Sequence, residues 1–278
     1  MQHKLSVAAL QQMKREGRKI VAVVVYDFPM AQIVDRAGVD IVSVGDSVGK
    51  NVWGHASQRE VTLDQMLLAC KAVRHGVRRA LVSCDFPYGP AQRGPDAAVK
   101  AARMLYEDGG ADLIKVDEAV EFPEVVRALT RVHIPVWAQF RGPGGAVRGE
   151  GGSGQGAADT AAEFVTQARL LEAAGAVMLD FIHSGPVAGP AVVSAVEIPV
   201  LGGLGGGPWL DGRVRSIVNA VGYSAAALDD RTERYANIAR VTLEAVETYA
   251  DDVRAGREIK GEPAASKGSA GSNGPGLR

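Results

Sequence analysis

Short, unbroken apolar runs recur along this chain, and stretches of helical period lie between them. The runs are Ile20–Tyr26, Val39–Val44, Ala80–Cys84, Leu113–Val116, Ile134–Ala138, Ala176–Leu179, Ile198–Leu201 and Asn219–Gly222. Each has strand length and is apolar at nearly every position instead of at every second one. A strand of that kind is buried on both faces, which requires a parallel sheet with crossover helices. Roughly eight such units within about 230 residues predict a closed (β/α)8 TIM barrel of the α/β class. The competing open, doubly wound sheet would place a GxGxxG turn after the first strand. Here that strand runs into Tyr26-Asp27-Phe28-Pro29, so the dinucleotide fingerprint is missing.

The segments between the runs carry helix boundary signals. Thr62-Leu63-Asp64-Gln65 reads as a capping box, and its helix stops at Gly76. Thr160-Ala161-Ala162-Glu163 reads the same way, with Gly175 as the stop. The opening residues predict a short amphipathic helix and lack the apolar core of a signal peptide. One barrel domain is expected over 1–261. The remaining residues, 262–278, have almost no apolar content and read as a disordered tail.

Composition narrows the class. Of 278 residues, 46% are hydrophobic and 23% charged, and the net charge is −1. That balance favours neither nucleic acid nor an anionic membrane surface as a partner. No apolar run is long enough to span a bilayer. Two cysteines, Cys70 and Cys84, are too few for a disulfide framework and suit the cytoplasm.

Four units end alike. A helix stops at glycine, an apolar strand follows, and an aspartate closes it: Asp46, Asp85, Asp117 and Asp180. In a parallel barrel all strand C-termini share one face, where active sites are built. Aspartate also caps helices, and Asp27 is read that way. Four carboxylates at one mouth would repel one another, and a divalent cation relieves the repulsion. An all-oxygen ligand set favours Mg²⁺ or a similar hard ion. Lys115, inside an apolar strand, is a candidate for holding a charged substrate group. Ser47 is either a turn residue or a substrate contact. Asp180 lies in the apolar run Ala176–Ile182, which would raise its pKa toward that of a useful base. His183 is a further acid–base candidate, and His55 is read as structural. The glycine run Gly202–Gly207 is weak evidence for a phosphate site.

The segments GDSVG (Gly45–Gly49), WGH (Trp53–His55), CDFPYG (Cys84–Gly89), IKVDE (Ile114–Glu118), AAGAVMLD (Ala173–Asp180) and IPVLGGLGGG (Ile198–Gly207) resemble, in that order, the ketopantoate hydroxymethyltransferase family. That family lies within the phosphoenolpyruvate mutase and isocitrate lyase superfamily. The resemblance implies a Mg²⁺-dependent barrel enzyme of pantothenate biosynthesis that assembles as a homo-oligomer, commonly a decamer. It would transfer a one-carbon unit from methylenetetrahydrofolate, or from formaldehyde, to a 2-oxo acid such as 3-methyl-2-oxobutanoate. Carried over by position, Asp46, Asp85 and Asp117 would serve the metal, with the substrate also near Asp46 and Asp85. Ser47 and Lys115 would bind the substrate, and Asp180 would accept the proton.

Three positions depart from the family. Asp117 and Asp180 stand where it has glutamates. Gln139-Phe140-Arg141-Gly142-Pro143 replaces its HxGxTP stretch, and the loop Gly144–Thr160 is shortened and glycine-rich. The chain therefore reads as a divergent paralogue. Two alternatives remain open at this stage: a C–C lyase of the same superfamily acting on a small 2-oxo or 2-hydroxy acid, and a catalytically idle barrel with a binding role.

Overall fold

The computed structural model describes residues 4–141, 155–203 and 206–261. His3, the segment 262–278, most of the glycine-rich loop and part of the Gly202–Gly207 run fall outside them. Eight strands form a closed barrel in sequence order. They are β1 (Ile20–Val25), β2 (Ile41–Val44), β3 (Leu81–Asp85), β4 (Leu113–Val116), β5 (Val136–Phe140), β6 (Met178–Phe181), β7 (Val200–Gly202) and β8 (Gly212–Ser216). Every neighbouring pair is parallel, and β1 closes on β8 with Ala22 opposite Val214. The chain divides into two compact units, Met1–Ala220 and Val221–Arg278, and the barrel lies in the first.

The eighth strand corrects the sequence expectation. Asn219–Gly222 is not a strand, because most of it belongs to the short helix Ile217–Val221. The strand is Gly212-Arg-Val-Arg-Ser, and Arg213 and Arg215 on its outer side are exposed. A strand buried on one side only has no continuous apolar run to reveal it. The fifth and sixth strands begin two residues later than expected, so Gln139 and Asp180 lie within strands.

The helix signals divide in the same way. Thr62 accepts from the Gln65 amide in a complete capping box, and that helix spans Leu63–Gly76. Asp27 caps the helix Phe28–Arg36, as expected, by accepting from the Met30 amide. Thr160 does not start its helix, which spans Gln155–Ala173. The preceding Gly-Ala-Ala-Asp stretch continues the turn, and alanine is the best helix former. The opening helix is Val7–Arg15, capped by Ser6.

The barrel interior changes character along its axis. At one end Ile20, Ala22, Ile41, Leu81, Leu113, Trp137, Met178 and Leu201 pack together with Leu10 and Met13 of the first helix. Because side chains alternate across a strand, the next inward residue lies two positions further on. Those residues are Val24, Ser43, Ser83, Lys115, Gln139, Asp180 and Gly203. An apolar floor thus gives way, one layer up, to a mostly polar ring. Ser83 donates to Ser43 Oγ at 2.7 Å, so this pair satisfies its own buried hydroxyls.

The second unit contains a short 3-10 turn, Ala225–Leu228, and the helix Ile238–Arg254. Asn237 caps that helix by accepting from the Arg240 amide, while its own amide donates to Ala227 O.

Candidate active site

The polar ring opens into a cavity of about 300 Å³. It is lined by Asp46, Ser47, Asp85, Lys115, Asp117, Gln139, Arg141 and Asp180, with Val24, Ile182 and Val214 as apolar walls. Asp46, Ser47, Asp85, Lys115, Asp117 and Asp180, singled out from the sequence, therefore meet at one end of the barrel. His183 does not join them. It is exposed, in a left-handed backbone conformation, and absent from the cavity lining. His55 packs against Trp53, away from the lining.

Lys115 is the centre of the arrangement. Its Nζ lies 2.9 Å from Asp117 Oδ1, 3.5 Å from Asp85 Oδ1 and 3.5 Å from Asp180 Oδ2. Below it the Trp137 ring centroid is 5.8 Å away, close enough for a cation–π contact. Burial works against the lysine's charge, but Asp117, Asp85 and Asp180 outweigh it and hold the pKa above the usual lysine value. Lys115 is therefore an ammonium, a fixed positive charge at the floor of the cavity.

One ammonium cannot neutralise every carboxylate around it. Asp46 is pushed up to about 6, first by burial and then by the charge of Asp117. Asp85 is raised well above the usual carboxylate range by burial, with Lys115 pulling the other way. Asp180 is also raised by burial, against Lys115 and a hydrogen bond from Gln139.

The acids at the opposite end of the barrel behave differently. Asp35 accepts from the backbone amides of Arg78, Arg79 and Ala80, Asp40 from Val21, Asp112 from Val82, and Asp211 from Val200. Those carboxylates are spent on the fold. At the mouth, by contrast, Asp85 Oδ1 and Asp180 Oδ1 are buried and accept no hydrogen bond; Asp85 Oδ1 has only the Lys115 ammonium at 3.5 Å, and Asp180 Oδ1 has no partner. Burying a carboxylate oxygen with no donor is costly, so an oxygen held in that state is available for something the protein alone does not supply.

Asp46, Asp85 and Asp117 offer one oxygen each within 4.8 Å of one another. Hard divalent cations prefer such all-oxygen sets, so the residues present fit a Mg²⁺-like ion. Asp46 is steered by Gln58, whose amide donates to its Oδ1 at 3.0 Å, and its own N–H donates to Asp85 Oδ2 at 3.2 Å. The tight passage at Gly45 makes this possible. A Cβ there would lie 2.7 Å from the Val24 side chain and 2.9 Å from Ser47 Oγ.

Several residues in the site were not singled out from the sequence. Tyr26 accepts from the Asn51 amide at 2.8 Å, and its hydroxyl is 2.9 Å from Ser47 Oγ and 3.3 Å from Ser216 Oγ. This network fixes Ser47 at the rim. Gln139 and Arg141 line the cavity from β5 and the residue following it. Their signal was spacing: both lie at even steps from the inward Trp137.

Comparison with known proteins adds a second line of observation. The family model described as ketopantoate hydroxymethyltransferase matches residues 4–257. A 3-methyl-2-oxobutanoate hydroxymethyltransferase of Trichlorobacter lovleyi is 34% identical over 259 residues, covering 92% of this chain and 96% of that one. One from Anaeromyxobacter dehalogenans is 36% identical over 259 residues, covering 90% and 84%. Among solved structures, a phosphoenolpyruvate phosphomutase from Streptomyces platensis subsp. rosaceus superimposes with a TM-score of 0.58 at 14% identity, covering 91% of this chain and 89% of that one. A 2,3-dimethylmalate lyase gives 0.55 at 17% identity, covering 91% and 100%. At those identities the likeness is one of fold.

Proposed function

Because the chain belongs to the ketopantoate hydroxymethyltransferase family and is a transferase of hydroxymethyl groups to a 2-oxo acid, we propose that its acceptor is 3-methyl-2-oxobutanoate or a close analogue, deprotonated at C3 by Asp180. The observation that carries this reading is the buried cluster in which Lys115 faces Asp85, Asp117 and Asp180 while one oxygen of Asp180 has no partner.

In this reading Asp46, Asp85 and Asp117 hold a divalent cation, Mg²⁺ by preference. When bound, the cation supplies Lewis-acid stabilisation of negative charge developing on the ketone oxygen. Ser47 and Lys115 orient the carboxylate end of the acid through charge-assisted hydrogen bonds. Val24, Ile182 and Val214 receive its branched alkyl end. Asp180, its basicity raised by burial, takes the C3 proton on Oδ1. A stronger base gives a faster transfer as long as it stays ionised, and the Lys115 ammonium favours the ionised form of Asp180 against its burial.

A smaller cavity of about 240 Å³ shares Asp46, Asp117 and Arg141 with the first, and Phe86, Tyr88 and Phe122 add aromatic walls. Arg59 stacks 4.4 Å over the Tyr88 ring. This space suits the one-carbon donor, either methylenetetrahydrofolate or free formaldehyde. We further propose that the enzyme works in the cytoplasm as a homo-oligomer, in keeping with two buried free thiols and with the family.

The direct test is exchange in D₂O. With Mg²⁺ and 3-methyl-2-oxobutanoate, the C3 proton signal should disappear by NMR, and adding the donor should yield the hydroxymethylated acid. No exchange with any of several 2-oxo acids would overturn the reading.

The pKa of Asp46 also predicts how cation binding responds to pH. A proton and a cation compete for the same carboxylate, so Mg²⁺ affinity measured by calorimetry should fall as pH drops through about 6. In the cation-free protein the sign for stability is opposite. A raised carboxylate pKa favours the protonated fold, so its contribution is full below the unfolded value and is lost as pH rises through about 6. Affinity that stays flat across this window would remove Asp46 from the ligand set.

A further inference from the structure

Gln139 and Asp180 are paired residues on adjacent strands β5 and β6. Both are buried, at 4% and 3% exposure. Gln139 Nε2 donates to Asp180 Oδ2 at 3.2 Å, and Arg141 donates to Gln139 Oε1 at 3.4 Å. The two neighbours leave the amide one orientation. A guanidinium has only donors and an ionised carboxylate only acceptors, so the amide oxygen must face Arg141 and the NH₂ must face Asp180.

The consequence falls on Asp180. Its Oδ2 is engaged by Gln139 and by Lys115 at 3.5 Å, while its Oδ1 accepts no hydrogen bond. The carboxylate is thus held from one side, and its two oxygens become unequal. We propose that Gln139 is a positioning residue for the proton transfer: it fixes the Asp180 carboxylate so that Oδ1 alone is presented to the C3 proton of the acid. The inference rests on the reading of Asp180 as the base.

A neutral donor suits this task. A second cation in place of Gln139 would hold Asp180 equally well but would also weaken it as a base, because nearby positive charge favours the ionised form. An amide supplies orientation with less loss of basicity. Asp180 has a short side chain, so rotation about its own bonds would swing the free oxygen away from the substrate. General-base transfer needs heavy atoms about 2.6–3.2 Å apart, which leaves little room for such rotation.

The test compares Gln139→Ala, which removes the donor, with Gln139→Glu, which keeps the shape but replaces the donor with an acceptor. In D₂O exchange with Mg²⁺ and 3-methyl-2-oxobutanoate, kcat should fall about ten- to a hundredfold in both variants. KM for the acid and Mg²⁺ affinity by calorimetry should each stay within about twofold of the parent. A merely structural role would instead move Mg²⁺ affinity, KM and melting temperature together. The proposal is overturned if kcat is unchanged in either folded variant, or if KM rises while kcat holds, which would make Gln139 a contact to the acid. Failure of the underlying reading has its own signature: Asp180→Asn would then exchange the proton as fast as the parent, or the parent would exchange nothing, and both proposals would fall.

Discussion

Asp180→Asn is expected to lower C3 proton exchange by about 10²–10⁴-fold, the range that a positioned general base contributes. The asparagine fills nearly the same volume but has no basic oxygen to receive the proton. Cation binding should survive, because Asp46, Asp85 and Asp117 form a separate oxygen cluster. The fold should survive as well. Burial already raises the Asp180 pKa, so a neutral residue there removes a charge that the site holds at a cost. The measurement pairs NMR-detected exchange with Mg²⁺ calorimetry on the same preparation. Undiminished exchange with normal Mg²⁺ binding would assign the base to another group. If the unmodified protein exchanges the proton but never forms product with any donor, the lyase alternative gains.

Lys115→Met is expected to be the more damaging substitution. Lys115 is the cation shared by Asp85, Asp117 and Asp180, and methionine of similar length leaves two buried carboxylates, Asp85 and Asp180, and the partly exposed Asp117 facing one another. Removing one member of a buried ionic cluster costs roughly 3–5 kcal/mol, because the remaining charges are left uncompensated. Part of that cost will be avoided by protonation, since Asp85 and Asp180 are already raised. Exchange should be undetectable, because loss of the Lys115 charge shifts Asp180 further toward its protonated form and the acid would lose its fixed positive contact. Mg²⁺ should raise the melting temperature of this variant more than that of the parent, since added positive charge relieves the same repulsion. A variant that melts normally and gains nothing from Mg²⁺ would show that the cluster is not electrostatically stressed.

The barrel was legible because six of its strands, β2 to β7, are buried at every position, and β1 stays apolar throughout although Val21 is exposed. Helices cover them outside and the core fills them inside, so their sequences are apolar at nearly every position. β8 escaped because Arg213 and Arg215 face outward and are exposed, which breaks the run. Asn219–Gly222 looked strand-like only because it is short and partly apolar. The helix Gln155–Ala173 was started late because a capping pattern at Thr160 outweighed the alanines before it.

The site was legible where the chain marks it twice. Asp46, Asp85, Asp117 and Asp180 each close an apolar run in the sequence, and the family motifs fall on the same residues. Lys115 stood out as a charge within an apolar run. Gln139, Tyr26 and Asn51 were passed over because what distinguishes them is a partner distant in the chain, and Arg141 because it matters only through Gln139. Gln139 is paired with Asp180, 41 positions on, and no local pattern records that. The alternation within strands would have found Gln139, had it been counted from Trp137.

The apolar floor that Trp137 and its neighbours build beneath the polar ring bears on the kinetics of the reaction. A barrel stoppered at one end has a single doorway, and whatever lies deepest has to enter first and leave last. In the reading proposed above, the acid resting against Asp180 would be covered by the donor arriving from the rim, and turnover would follow a compulsory sequence of arrivals, with the acid ahead of the donor.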